Sequence, residues 1–334
     1  MTVASAPVTE QRARPAEVLA AWVRHNAWQI GLVVFLALLL AFTKLIQPSY
    51  SALGVQGLAI SVLPLALAAV GQAIVVIAGG IDLSIAAMMS LTSVVAAVLM
   101  KDRPEEFAVL VVVGVILLGL AIGAVNGALV VLTRVPDIVL TLAMSFVWAG
   151  FALLVLKTPG GGSADWLKAL VKGSLLNEWI PKAAVVLVLV VAVVWIPLRR
   201  SRLGLSIYAI GGNQLAAFRS GVSVGRTKVL AYALTGVFAA LGGIALTAST
   251  GIGTPVPGPY TLLSVAAVVL GGVSLAGGRG GVFGPIVGVV ILQLIRTDMT
   301  FLNVNTNLAV VLQGVILIGV VMIGSLVQIR RARA

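Results

Sequence analysis

The 334-residue sequence contains no cysteine and one histidine, His25. Disulfides and thiolate metal sites are therefore excluded, and the redox compartment leaves no mark on the chain. No His/Glu metal cluster and no nucleophile constellation is present, so nothing supports a membrane-embedded enzyme. The pattern G-x-x-x-x-G-K-[ST] is also missing, and the chain is not expected to hydrolyse ATP itself. Charge is scarce: 10% of residues are Asp, Glu, Lys or Arg, where a soluble domain carries about 25%. A soluble enzyme is excluded on that ground. The few charges are unbalanced, with 22 Lys and Arg against 10 Asp and Glu. The basic residues are scattered over loops without an aromatic-lined patch, which argues against nucleic acid.

What remains is apolar. Hydrophobic residues make up 60% of the chain and the mean hydropathy is +1.16. Windows long enough for membrane helices fall at 28–46, 55–78, 84–100, 108–132, 138–156, 183–197, 229–249, 261–275, 282–296 and 307–327. The fold class is an all-α integral membrane bundle of about ten helices, range eight to ten. The sixth, eighth and ninth windows are short and are expected to be tilted, broken or re-entrant. Residues 1–27 read as a cytoplasmic tail, 28–327 as the membrane domain and 328–334 as a basic cytoplasmic tail. With the N-terminus inside, 14 of the 22 basic residues fall on the cytoplasmic side, as the positive-inside rule favours. Both termini are then cytoplasmic.

Glycine marks the close contacts. Gly119, Gly123 and Gly127 recur every four residues in the fourth span, as do Gly280, Gly284 and Gly288 leading into the ninth. Such stripes let helix backbones approach closely in lipid. The outer loop at 157–182 spaces Trp166, Leu167, Leu170, Val171, Leu175, Trp179 and Ile180 as an amphipathic segment lying at the membrane surface, against lipid headgroups. It is a candidate outer gate or docking point, with interface anchoring the simpler account.

Three polar blocks interrupt the apolar pattern. The first is Gly79-Gly80-Ile81-Asp82-Leu83-Ser84, where a carboxylate sits beside glycines between spans two and three. A charge there is costly unless paired or hydrated, about 2.5–3.5 kcal/mol at mid-helix. Asp82 is expected to fix the break between the spans and to serve as an N-cap for the third, with solute contact the less favoured role. The second block is the cytoplasmic connection at 199–228, in which Gln214–Phe218 forms a short helix stopped by Gly221. The third is Gly271–Gly281, with Gly271, Gly272, Gly277, Gly278 and Arg279 in a glycine-rich cytoplasmic turn. It echoes the first block over six positions, too few to establish an internal repeat.

These blocks in this order, with Tyr208–Asn213, Ala216-Ala217, Ser220-Gly221-Val222, Lys228 and Asn126-Gly127, resemble the bacterial ATP-binding-cassette sugar-import permeases of the ribose-permease family. The resemblance covers residues 28–327. It implies a type II-like importer bundle and a permease subunit that pairs with a second permease subunit, identical or not. It also implies cytoplasmic ATPase subunits and an extracytoplasmic sugar-binding protein as partners. ATP and Mg would be held by the ATPase, and this chain would bind no cofactor or metal. Asn213, Ala216, Ala217, Arg219, Ser220 and Gly221 would then couple to the ATPase. Gly79, Gly80, Asp82, Ser84 and Asn126 are candidates for the translocation path or the helix break, and Gln56, Gln72 and Ser90 for further polar lining. Relatives often carry Pro-Glu where this chain has Gln214-Leu215, and Arg where it has Phe218, which weakens any carboxylate pairing at the contact. The runner-up is an ion-coupled secondary transporter. It would normally need intramembrane acids or His, and the acids here cluster at span boundaries. The expected location is the bacterial cytoplasmic membrane, and the transported solute a monosaccharide or related polyol.

Overall fold

A computed structural model describes residues 15–305 and the isolated positions 308, 311, 314, 315, 318, 319 and 322, with side chains from residue 26. The expected tenth span at 307–327 lies largely outside the described residues, as do the first fourteen residues and the C-terminal tail. Among the described residues the chain is helical without named strands. Seven helices among the described residues are long and apolar enough to cross a membrane, and Ile85–Met100 and Tyr260–Leu270 are shorter apolar helices. The all-α membrane architecture read from hydropathy is therefore present.

The first five helices are α1 (Pro15–Ile46), α2 (Ala52–Ile77), α3 (Ile85–Met100), α4 (Phe107–Thr133) and α5 (Asp137–Val155). A short helix α6 (Asp165–Val171) leads to α7 (Lys182–Arg200). The polar connection holds α8 (Arg202–Gly212) and α9 (Gln214–Arg219). The chain continues through α10 (Val224–Thr250), α11 (Tyr260–Leu270) and α12 (Phe283–Phe301). Helix α2 is apolar on every side, and such a helix belongs in the interior. Its best membrane window is 89% buried, against 11% for α1 and α5. Around it, α10 packs on α2, α3 and α4, and α12 packs on α1, α2 and α11.

The glycine stripes do what their spacing predicts. A Cβ on Gly119 or Gly123 would strike the carbonyl oxygens of Gly236 and Tyr232, so α4 and α10 touch backbone to backbone. Gly284 abuts the Gly271 carbonyl and Gly288 faces that of Ala267, drawing α12 onto α11. Gly280 differs: it sits in the loop, not on the stripe.

Two of the short windows prove long. Helix α7 continues past Pro197 into Arg199 and Arg200, and α12 continues through Arg296, Thr297 and Asp298. Hydropathy alone stops at such residues, although long basic side chains carry their charge to an interface. Only α11 is short, with Pro255, Pro257 and Pro259 before it and Gly271 after it. Lys228, expected in the cytoplasmic connection, lies in the first turns of α10.

Candidate functional site

The three polar blocks, far apart in sequence, meet at one end of the bundle. Gly278 donates its N–H to the Ile77 carbonyl at 2.9 Å, tying the third block to the end of α2. A Cβ on Gly211 in α8 would strike that carbonyl and lie 2.6 Å from the Gly278 nitrogen. A Cβ on Gly277 would lie 3.0 Å from the Cα atoms of both Gly211 and Gly79. Three backbones thus cross with no side chain between them. Tyr208 of α8 adds a bond to the Gly280 carbonyl at 2.7 Å. Burial raises the Tyr208 phenol above its ordinary value, against a lowering pull from Arg199, so it acts as a neutral donor.

The echo between the first and third blocks has a structural cause in a shifted register. Gly79 and Gly272 both adopt positive φ, 84° and 79°. Each follows its helix as the left-handed residue of a Schellman cap, with Gly80 N–H on Val75 O and Val273 N–H on Val268 O. Glycine is favoured there because a Cβ resists that backbone. The matching residues are the first glycine of one pair and the second of the other, so the six-position alignment was one residue out.

Beneath this crossing lies a buried polar chain. Asp82 is fully buried, and its Oδ1 accepts from the Ser84 N–H at 2.8 Å and the Ser84 hydroxyl at 2.6 Å. Asn126 of α4 donates to Ser84 Oγ at 2.8 Å, and Trp148 of α5 donates to Asn126 Oδ1 at 3.0 Å. With its amide turned to suit its neighbours, Gln72 of α2 donates to the Asp82 carbonyl at 2.9 Å and accepts from the Asp82 N–H at 3.3 Å. Among the described residues, Asp82 Oδ2 has no hydrogen-bond partner. The expected N-cap role needs correction: α3 starts at Ile85 with Ser84 at its cap position, and Asp82 closes a tighter turn onto Ser84 instead. Asp82, Ser84 and Asn126 are brought together, but inside the protein. Gln72 and Ser90 are buried as well. Gln56 instead reaches the 157–182 loop, donating to the Glu178 carbonyl.

A second cluster joins this chain to α10. Lys228 Nζ lies 3.6 Å from Asp137 Oδ1, with both side chains largely buried. Tyr232 donates to Asp137 Oδ2 at 3.0 Å and approaches the Ile81 carbonyl at 3.4 Å. Gly80 is required beside them, because its Cβ would lie 2.5 Å from Asp137 Oδ2. Sequence reasoning missed Asp137 and Tyr232. A carboxylate following Pro136 at a helix start was the available signal.

On the surface, α9 is bounded on both sides. Asn213 caps it by accepting the Ala216 N–H at 2.9 Å, and Gly221, at φ 85°, closes it with Val222 N–H on Ala217 O. Ala217 faces inward, while Ala216, Arg219 and Ser220 are exposed. The exposed large apolar side chains of α9 are Leu215 and Phe218, three residues apart on one face. Arg279 is exposed in the third block, whose turn closes on itself through Ser274 N–H on Arg279 O. At the far end of the bundle, Glu105 accepts from the backbone of Asp165 and Trp166, holding α6. Leu167 and Val171 are buried there, and Trp179 is exposed.

A multi-spanning helical bundle whose glycine crossing ties α8 to the end of α2 and to the loop after α11 fits a membrane permease subunit. Residues 54–321 match the family model described as branched-chain amino acid transport system / permease component, and the chain belongs to that family. It is 34% identical over 264 residues to the ribose import permease protein RbsC of Escherichia coli K12, covering 77% of this chain and 81% of that protein. It is 32% identical over 295 residues to RbsC of Bacillus subtilis, covering 87% and 90%. It is 33% identical over 322 residues to the galactose/methyl galactoside import permease protein MglC of Escherichia coli K12, covering 90% and 95%. No solved structure matches the chain.

Proposed function

We propose that this chain is the membrane-spanning subunit of an ATP-binding-cassette importer for a monosaccharide, working in the cytoplasmic membrane with both termini inside. The observation that carries this reading is the meeting of Gly79, Gly277 and Gly211 of α8, the helix that leads into α9. A force applied to α9 and α8 reaches the ends of α2 and α11–α12 through backbone contact alone. The family description mentions amino acids, but relatives above 30% identity carry the names of ribose, allose and galactose permeases. Those names favour a sugar.

In this reading the permease performs no covalent chemistry. ATP and Mg act on a separate ATPase, whose closure grips Leu215 and Phe218 of α9 and biases inward- and outward-open packings. A partner shifts that balance only through its difference in affinity for the two states. An extracytoplasmic binding protein delivers the sugar to the end carrying α6, and a second permease subunit completes the pore. The Asp82–Ser84–Asn126–Trp148 chain holds the break between α2 and α3 rigid. The basic 328–334 segment and the residues before α1 are assigned to the cytosol.

The test is transport by the reconstituted complex. Proteoliposomes holding the permease, its ATPase and the binding protein should accumulate radiolabelled D-ribose, D-allose or D-galactose only with ATP and Mg present. Accumulation with a hydrolysis-dead ATPase would refute the mechanism and restore the ion-coupled alternative.

A further inference from the structure

The end of the bundle remote from the glycine crossing carries a polar cavity that no sequence motif announced. It has a volume of about 440 Å³ and lies between α2, α10, α11 and α12. Small-molecule sites span roughly 300–1,000 Å³. Its polar lining includes Ser61, Ser249, Thr250, Tyr260, Arg296 and Thr297. Inside a membrane bundle such a concentration of polar groups marks a solute path more often than packing.

The chemistry of the wall narrows the ligand. Ser61, Ser249, Thr250 and Thr297 each donate to a carbonyl of their own helix, which leaves the hydroxyl oxygens as acceptors. Pro64 and Ile60 also line the cavity. Proline has no N–H, so the Ile60 carbonyl loses its partner four residues on and adds a backbone acceptor. Gln293 pins the facing helix by donating to the Ser61 carbonyl at 2.8 Å. The donors come from the other side. Neither the Tyr260 hydroxyl nor the Arg296 guanidinium makes a side-chain hydrogen bond or ion pair among the described residues. No acid lines the cavity, so an ammonium group finds no countercharge, and an amino acid fits poorly. A neutral solute with several hydroxyls finds both donors and acceptors.

We propose that this cavity is the outer subsite of the translocation path, taking a monosaccharide-sized polyol, with Arg296 as the donor that orients it. The inference rests on the importer reading and deepens it by placing the sugar.

The absence of native cysteine permits a direct test. Ser61→Cys and Thr297→Cys, each in the full chain expressed with its ATPase and binding protein, are treated in spheroplasts with a membrane-impermeant anionic methanethiosulfonate. Uptake of labelled D-ribose, D-allose and D-galactose is measured beside the extent of modification. Both cysteines should react from outside, modification should reduce uptake about tenfold or more, and excess transported sugar should slow the reaction. Val188→Cys, on the exposed face of α7, should show no loss of uptake after treatment. Arg296→Gln should raise the half-saturating sugar concentration by about 10–100-fold, the effect of losing one charge-assisted hydrogen bond, with Arg296→Lys partly restoring it. Cysteines that stay unmodified in normally inserted protein, both nucleotide-free and vanadate-trapped, would overturn the subsite. Modification without loss of uptake would overturn it equally. A wild-type complex that takes up none of the three sugars would instead overturn the sugar reading, and the labelling would still report whether the cavity opens outward.

Discussion

Gly211 and Gly212 are neighbours in α8, and the structure assigns opposite signs to the same substitution at each. Local propensity favours alanine over glycine within a helix by about 1 kcal/mol. At Gly212 a Cβ meets nothing within 4 Å, so Gly212→Ala should be neutral or slightly stabilising. At Gly211 the Cβ strikes the Ile77 carbonyl oxygen and lies 2.6 Å from the Gly278 nitrogen. Both are backbone atoms and cannot turn aside as a flexible side chain would. Overpacking costs about 1–3 kcal/mol. Prying apart the Gly278–Ile77 hydrogen bond leaves buried polar groups unmet, for about 1–3 kcal/mol more. Subtracting the propensity gain leaves Gly211→Ala destabilising by about 3 kcal/mol.

The assay is the thermal midpoint of purified protein in one detergent, with wild type and both variants scanned at one rate because membrane-protein unfolding is seldom reversible. At about 2 °C per kcal/mol for a chain of this size or somewhat smaller, Gly211→Ala should fall by about 6 °C while Gly212→Ala stays within about 2 °C of wild type. ATP-driven uptake should fall with Gly211→Ala at temperatures where the protein is still folded. A Gly211→Ala protein as stable as Gly212→Ala would refute the backbone crossing, and with it the proposed route of force.

Three further outcomes follow from the same geometry. Asp137→Asn should leave Lys228 without its countercharge and cost about 1–3 kcal/mol, below the 3–5 of a fully buried pair; a double-mutant cycle with Lys228→Met that shows no coupling would remove this tie. Asp82→Ala should strip both Ser84 bonds and lower stability by about 1–3 kcal/mol, whereas Asp82→Asn keeps the Oδ1 acceptor and should assemble normally, as read by yield and size-exclusion profile. Leu215→Ser with Phe218→Ser should leave the permease folded, since both side chains are exposed, yet weaken ATPase co-purification about tenfold or more; unchanged co-purification would move the contact elsewhere.

How much was legible in the sequence depended on the kind of signal. Apolar windows and glycine stripes follow from lipid solubility and backbone approach, so the helices and the packing faces of α4 and α12 were readable, but not the helices they meet. The three polar blocks stood out because paired glycines with charged or polar residues interrupt the apolar runs. Their meeting was not readable, because Ile77, Gly211 and Gly278 are joined by tertiary placement, not by spacing. Asn126 was identifiable as an intramembrane amide, but its partner Trp148 looks like any other apolar-window aromatic. The cavity escaped for a further reason. Its serine and threonine hydroxyls come from three helices, and each alone looks like a side chain bonded to its own helix.

Pro64 is the residue at which both ends of the molecule come to bear on α2. Thirteen residues separate it from Ile77 at the crossing, about 20 Å along the helix, and on its other side stand Ile60 and Ser61 in the cavity wall. A proline in a helix interior removes one hydrogen bond and is a common cause of bending. Pro64→Ala restores the donor, pairs the Ile60 carbonyl and stiffens the helix where the two ends connect. Stability should hold or rise, since interior proline costs about 3 kcal/mol in a helix. Sugar uptake should nevertheless fall, because the cavity loses an acceptor and the helix its weak point. Raised stability with uptake at the wild-type rate would mean that α2 transmits nothing through this position. The crossing and the cavity would then have to communicate through α10, α11 and α12 alone.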